Sequence, residues 1–370
     1  MKVIERNFFK LLQSGIYDQE TAPVEPLSPW KWRRLYQLSL MHGVAALVHD
    51  GIKHGQDQLF IRQIPTKLQQ QWQKTTDDIE RNNRETDLRL VELFAQLAQA
   101  GLHPYLLRGQ ATATCYRQPL HRTCGDIDLW FPTEEEYQQA IEWAKENGSE
   151  LTEEDDRTSY EWKSRKIEYH AKIQTLTNPL LNKKLQGVIS SGMQEQPPKT
   201  VSINRTPIAV VPPTLNALLM LVRMARYILN EGVSMKQTTD FAMLMMHNKN
   251  DIDFTELQNH IQHLGLQSMA NLTGTLLTEL LGMQQEAIPF MRKANRRRAN
   301  ALLNDLFDLR DIYTEDWYFT QGKDIFVRSS NSNAMFWHLR HGIKYVGTYP
   351  SETMTNFFSS MAHSLSHIEE

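Results

Sequence analysis

Apolar positions in the first hundred residues recur at helical spacing. Val3, Phe8, Leu11 and Leu12 mark an amphipathic first helix. A proline-rich connector (Pro23, Pro26, Pro29) leads into a second helical pattern, Trp30 to Val48, with Trp32, Leu35, Leu38, Leu40 and Val44 as its apolar positions. Pro65 opens a long helix through Gln99, and Gly101 ends it as the residue just past the C-cap. That helix is polar from Gln69 to Glu85 and then carries Leu88, Leu90, Val91, Leu93, Phe94 and Leu97. Its second half is expected to pack on the region that follows. Its first half is expected to stay solvated or to cover a cleft.

The period shortens after residue 101. His103 to Gly109 reads as a strand ending at a glycine, Gln110 to Tyr116 as one or two helical turns, and residues 126 to 131 as a second strand. Thr133-Glu134-Glu135-Glu136 has the form of a capping box, opening a helix to Asn147 that Gly148 closes. Glu153 to Asp156 reads as a solvated acidic loop. Thr158 to Trp162 and Lys166 to Thr175 read as a hairpin turning near Ser164-Arg165. Asn178 to Ser191 is helical in pattern, and Val201 to Val211 gives one or two further strands before Pro212-Pro213.

Beyond Pro213 helical spacing returns at Leu215, Leu218, Leu219, Val222, Ala225 and Leu229. Helices follow from Ser234, from Asp253, over Leu266 to Leu281 and over Met291 to Leu309. A strand-like loop (Tyr313 to Val327) and helices around Phe336 to Val346 and Glu352 to Ser364 complete the pattern. The fold class is α+β. A small mixed-sheet core at 101–212 is flanked by an N-terminal helical region at 1–100 and a C-terminal helical domain at 213–370.

The chemistry concentrates in the short-period region. Asp126 and Asp128 alternate along a strand, so they share a face while Ile127 and Leu129 bracket them. Like charges so close repel, and a cation between them removes the repulsion. Glu168 and His170 alternate in the same way with Ile167 and Tyr169. Glu168 is the best candidate for a third carboxylate, against the plain alternative of an exposed hairpin residue. His170 is open to two roles, an acceptor contact or a structural histidine. Gly109 lets backbone approach a phosphate, and Arg108 and Arg122 offer forked donors to phosphate oxygens. Lys236 and Asp240 lie four apart on one helix face, as a cleft contact or as a plain surface pair.

Composition narrows the partners. The 370-residue chain is 41% hydrophobic and 22% charged, ordinary for a globular protein too large for one small core. A formal net charge of −3 supplies no global field for nucleic acid, and Arg296-Arg297-Arg298 reads as a solvated helix face. The two cysteines, Cys115 and Cys124, have no metal-site or disulfide spacing. With no signal-peptide core and no membrane-length apolar run, a cytoplasmic location is expected, with no membrane partner.

Arg108-Gly109, Tyr116, Arg122 and Gly125-Asp126-Ile127-Asp128-Leu129 together resemble the Lys-Gly, Tyr, Arg, Gly-Asp-hydrophobic-Asp-Leu pattern of the uncharacterised nucleotidyltransferase family within the polymerase-beta-like superfamily. Ile167-Glu168-Tyr169-His170 is similar to that family's carboxylate-hydrophobic-His segment, and Gly232 to Phe241 to its Gly, Lys-Gln, Asp helix. Arg108 stands where the pattern has lysine, so a planar fork replaces a point charge. The resemblance implies a nucleotidyltransferase core that moves a nucleotidyl group from a nucleoside triphosphate, ATP first, to an acceptor the sequence does not name. Such transfer suits two-metal chemistry, with Mg²⁺, or Mn²⁺ in its place, on Asp126, Asp128 and Glu168. Arg108, Gly109, Arg122, Gly125, Lys236 and Asp240 would serve the nucleotide, and His170 the acceptor. The competing expectation is a nucleotide-binding or protein-interaction module that keeps the fold without transfer. The Arg108 substitution and the large helical flanks motivate it.

Overall fold

A computed structural model describes residues 1–154, 156–195, 199–231, 233–307, 344–356 and 358. In chain order the elements are α1 (Val3–Tyr17), α2 (Pro29–Met41), α3 (Ala45–His54), α4 (Thr66–Gln99), β1 (Tyr105–Leu106), α5 (Gln110–Ala113), β2 (Ile127–Trp130), α6 (Glu134–Asn147), β3 (Ser149–Glu154), β4 (Arg157–Trp162), β5 (Arg165–His170), α7 (Pro179–Glu195), β6 (Lys199–Ile203), β7 (Thr206–Val210), α8 (Pro213–Arg226), α9 (Met235–His247), α10 (Phe254–His263), α11 (Gln267–Leu281) and α12 (Arg296–Leu306). The fold is α+β. The described residues fall into two compact units. One comprises Met1–Ile173, Pro198–Pro212 and Ala242–His247; the other comprises Gln174–Pro197, Pro213–Phe241 and Asn248–Glu370.

The first unit holds a seven-stranded sheet in the order β3-β4-β5-β2-β1-β7-β6. β2 runs parallel to β5 and β1 parallel to β7, and the remaining pairs are antiparallel, so the sheet is mixed. Ile127, Leu129, Ile167, Tyr169, Ile208 and Val210 enter one apolar cluster with Leu90, Leu93 and Leu97 of α4 and with Tyr137, Ala140, Ile141 and Ala144 of α6. The apolar half of the long helix therefore packs on the sheet, as its sequence predicts. Pro65 caps that helix, and Gly101 follows it at φ 78°, the left-handed conformation glycine takes without strain. Thr133 caps α6, its hydroxyl accepting from the Glu136 N–H at 3.1 Å.

Three expectations are corrected. The Trp30–Val48 helix is two helices, α2 and α3, because Gly43 at φ 65° breaks the chain between them. The acidic stretch at 153–154 is not loop but the end of the edge strand β3, whose exposed Glu153 and Glu154 discourage further pairing. The β4–β5 turn is Lys163-Ser164, with φ of 48° and 61° at the two residues. Both angles are positive, as a two-residue type I′ hairpin requires. Asn204-Arg205 makes the equivalent turn between β6 and β7. In the N-terminal helices, α1 and α3 cross closely: a Cβ on Gly15 would lie 1.8 Å from the Leu47 carbonyl oxygen.

In the second unit the buried Glu352 carboxylate accepts from the N–H groups of Thr177 and Asn178 at 2.6 and 2.9 Å, just ahead of α7. Asp253 caps α10 by accepting from Thr255 and Glu256. Gly232, the strand-like loop at 313–327, most of the 336–346 helix and much of 352–364 lie outside the described residues. Among the described residues no helix is long and apolar enough to cross a membrane.

Candidate functional site

β2 and β5 lie side by side in parallel register, Ile127 opposite Ile167, Asp128 opposite Glu168 and Trp130 opposite His170. The apolar members of both strands, Ile127, Leu129, Ile167 and Tyr169, are committed to the core. Strand alternation then leaves Asp128, Glu168 and His170 on the other face. Each offers one ligand atom, and these atoms all lie within 4.8 Å of one another. The His170 Nε2–H donates to Asp128 Oδ1 at 2.7 Å and stands 3.9 Å from Glu168 Oε2.

β1 brings the Arg-Gly pair to the same place. It lies antiparallel to β2, and the Leu107 N–H donates to the Asp128 carbonyl at 3.0 Å. Arg108 Nη1 reaches Asp128 Oδ1 at 3.6 Å. Gly109 has φ 54° and ψ −113°, a combination reserved for glycine, and a Cβ there would stand 3.4 Å from the Asp126 carbonyl oxygen. Arg108 Nε is buried with no hydrogen-bond partner, and so are both amide atoms of Gln110, the residue after Gly109. Buried polar groups are almost always paired, so orphans beside a cluster of ligands suit a polar molecule that completes them. A Cβ on Gly125 would meet nothing within 4 Å. Open space therefore lies beside the turn into β2.

The site also holds cations that the sequence reading did not single out. Lys166 Nζ bridges Asp126 Oδ2 at 3.2 Å and Glu168 Oε1. Arg157 Nη1 stands 3.7 Å from Glu168 Oε2 and pairs more closely with Glu154, its Nε 2.8 Å from Oε2. Burial raises the Asp126 carboxyl above its usual range, the Lys166 charge opposes this, and the charges of Glu168 and Asp128 add to it. Burial alone would lower the Lys166 ammonium; the bond to Glu168 and the charge of Asp126 outweigh it and raise the pKa. Lys166 was detectable in principle, because it alternates with Glu168 along one strand. Arg157 was not, because its place follows from the β4–β5 register (Ser159 opposite Glu168), which the Lys163-Ser164 turn sets.

Arg122 is buried in the connection between β1 and β2, where its Nη1 donates to the Thr123 carbonyl and to Cys124 Sγ at 3.3 and 3.4 Å. Asn83 of α4 donates to the Leu120 and Arg122 carbonyls, fastening that connection to the helix. The polar half of α4 thus braces the site's supports: Arg165, at the start of β5, also reaches Asn82 and Glu85 at 2.5 and 2.7 Å. Lys236 and the buried Asp240 lie on α9 among the residues of the second unit.

Three neighbouring carboxylates, one of them held by an imidazole and two bridged by a lysine, form an oxygen donor set that suits a hard divalent cation. Comparison with protein families matches residues 28–282 to the model described as "Uncharacterised nucleotidyltransferase". The chain belongs to this nucleotidyltransferase family. The matched span includes β1, β2, β5 and α9, and so every element that carries the expected site residues. No curated protein matches the chain. Among solved structures, it is similar to the crystal structure of an antigenic nucleotidyltransferase-like protein from Paracoccidioides brasiliensis. The identity is 12%, the match covers 59% of this chain and 95% of that one, and the TM-score is 0.35. For this family member, then, the clustered residues are Asp126, Asp128, Glu168, His170, Arg108 and Gly109, with Lys166 and Arg157 interleaved among them.

Proposed function

We propose that this protein is a cytoplasmic, divalent-cation-dependent nucleotidyltransferase that transfers a nucleotidyl group from a nucleoside triphosphate, ATP first, to a nucleophilic acceptor. The observation that carries this reading is the convergence of the Asp128, Glu168 and His170 ligand atoms within 4.8 Å, at the end of β1 where Arg108-Gly109 turns. Asp128 and Glu168 would hold Mg²⁺ or Mn²⁺, and Asp126 would join them. A bound Mg²⁺ supplies charge neutralisation for triphosphate oxygens. His170 holds the Asp128 carboxylate in one orientation through its hydrogen bond, as outer-shell imidazoles do. Arg108 offers its guanidinium to the phosphates, and the bare backbone at Gly109 lets them come close. Glu168 would take the acceptor's proton as general base.

The reading is tested with labelled ATP, Mg²⁺ and a cell extract as the source of acceptors. The wild-type protein is expected to label a product. Glu168→Gln is expected to slow labelling by about 10²–10⁴-fold, the usual worth of a positioned base. Labelling by Glu168→Gln at the wild-type rate overturns the role given to Glu168. The pairing of all three carboxylates with the chain's own cations favours a second reading, nucleotide binding without transfer. A product whose formation depends on Asp128 rules that reading out.

A further inference from the structure

The carboxylates of the site already have cations of the chain beside them. Asp126, Asp128 and Glu168 contribute three negative charges. Lys166, Arg157 and Arg108 contribute three positive charges within 4 Å of them. The three cations are not equivalent. Arg157 is also tied to Glu154 by two hydrogen bonds, and the Arg108 side chain is largely buried, with its Nε enclosed. The Lys166 side chain is 50% exposed, whereas the Glu168 and Asp126 side chains it bridges are 9% and 22% exposed. The ammonium therefore stands on the solvent side of two sheltered carboxylates. It hangs on a flexible four-carbon stem, and a lysine point charge is held by no fixed fork geometry.

We infer that Lys166 is a built-in counter-cation that occupies the divalent-cation position between Asp126 and Glu168, and that it couples ion binding to nucleotide binding. The inference rests on the metal-site reading above. A divalent ion arriving alone meets carboxylates already paired with the chain's own cations and an ammonium a few ångströms away, and at short range in a partly buried site that repulsion is worth several-fold to many-fold in affinity. An ion arriving with a triphosphate brings its own negative charge. The ammonium can then leave the carboxylates for the phosphates, and the ion takes its place between the carboxylates. The protein should therefore bind Mn²⁺ weakly without nucleotide and much more tightly with it. By linkage, the nucleotide should show the same dependence on the ion.

The test is a Mn²⁺ titration followed by electron paramagnetic resonance, on wild type and Lys166→Met, each with and without a non-hydrolysable ATP analogue. Lys166→Met is expected to bind Mn²⁺ alone about tenfold more tightly than wild type, and the tightening caused by the analogue is expected to shrink by a similar factor. Equal or weaker Mn²⁺ binding by Lys166→Met, with wild-type binding intact, overturns the role of Lys166 and leaves the metal site standing. Absence of Mn²⁺ binding by both proteins, with and without the analogue, overturns the metal site and this inference with it. Lys166→Arg keeps the charge and Lys166→Gln removes it with little change in bulk. The first is expected to bind as wild type and the second as Lys166→Met, so a folding defect in one variant does not decide the outcome.

Discussion

Two clusters in the first unit are built from the same ingredients, carboxylates around a basic side chain, and are put to opposite uses. At the strand site the basic group is Lys166, half exposed and bridging Asp126 and Glu168. Where the β1–β2 connection meets the N-terminal helices it is His121, whose Nδ1 meets Asp50 Oδ2 of α3 at 2.6 Å and whose Nε2 meets Glu80 Oε1 of α4 at 2.7 Å. His121 and Asp50 are both buried. Burial would lower the His121 pKa, but the bonds to and charges of Asp50 and Glu80 outweigh it and raise it. Both ring nitrogens face carboxylates, and only the imidazolium has two donors to satisfy them. The closed cluster therefore holds α3, α4 and the connection that carries Arg122 in place, while the open cluster can exchange its cation for another. Accessibility of the cation, more than charge count, separates a structural ion cluster from a site.

The largest expected contrast is in stability. His121→Ala leaves Asp50 buried without its partner, and breaking such a cluster typically costs about 3–5 kcal/mol. The lower end, about 3 kcal/mol, is expected here because Glu80 keeps Arg84 and some solvent. Lys166→Met is expected to change stability by no more than about 1 kcal/mol, since a half-exposed pair is screened and the variant relieves no packing. Urea unfolding of both variants measures this, and comparable losses would break the comparison.

A smaller effect appears with pH. The stability His121 contributes is complete below its unfolded pKa of about 6.5 and is lost as pH rises through its higher folded pKa. His49, its neighbour on α3, behaves in the opposite sense. Burial, with the charges of Lys53 and His121 adding to it, pushes its pKa down to about 4, and its ring nitrogen Nδ1 lies 2.8 Å from the Thr76 hydroxyl. Its contribution is present above about pH 6.5 and is lost as pH falls toward 4. Melting temperatures across this range are expected to show a flatter alkaline limb in His121→Gln and a flatter acid limb in His49→Gln. The same limb flattened by both variants would contradict the assignment.

The two clusters also differ in how far the sequence revealed them. Asp126, Asp128, Glu168 and His170 were legible because strand alternation is local, and two alternating runs with apolar partners predict which side chains share a face. The cap at Thr133, the long helix from Thr66 and the glycine after it were legible for the same reason. The Asp50–His121–Glu80 cluster was not, because its members are 71 and 41 residues apart and only tertiary packing brings them together. Arg157 was hidden by register. Its turn uses Lys163-Ser164 at positive φ, where Asn-Gly is the usual signal, so the β4–β5 pairing could not be read to the residue. The break between α2 and α3 was missed because the apolar spacing continues across Gly43.

The central claim is that the open cluster holds a divalent cation together with a nucleoside triphosphate. Calorimetric titration of ATP into wild type and Asp128→Asn, with Mn²⁺ and then with EDTA, tests it most directly. Wild type is expected to bind ATP in a Mn²⁺-dependent manner, and Asp128→Asn, losing a direct carboxylate ligand, to bind about 100-fold more weakly while melting at nearly the same temperature. Equal Mn²⁺-dependent affinity in the two proteins would contradict the account.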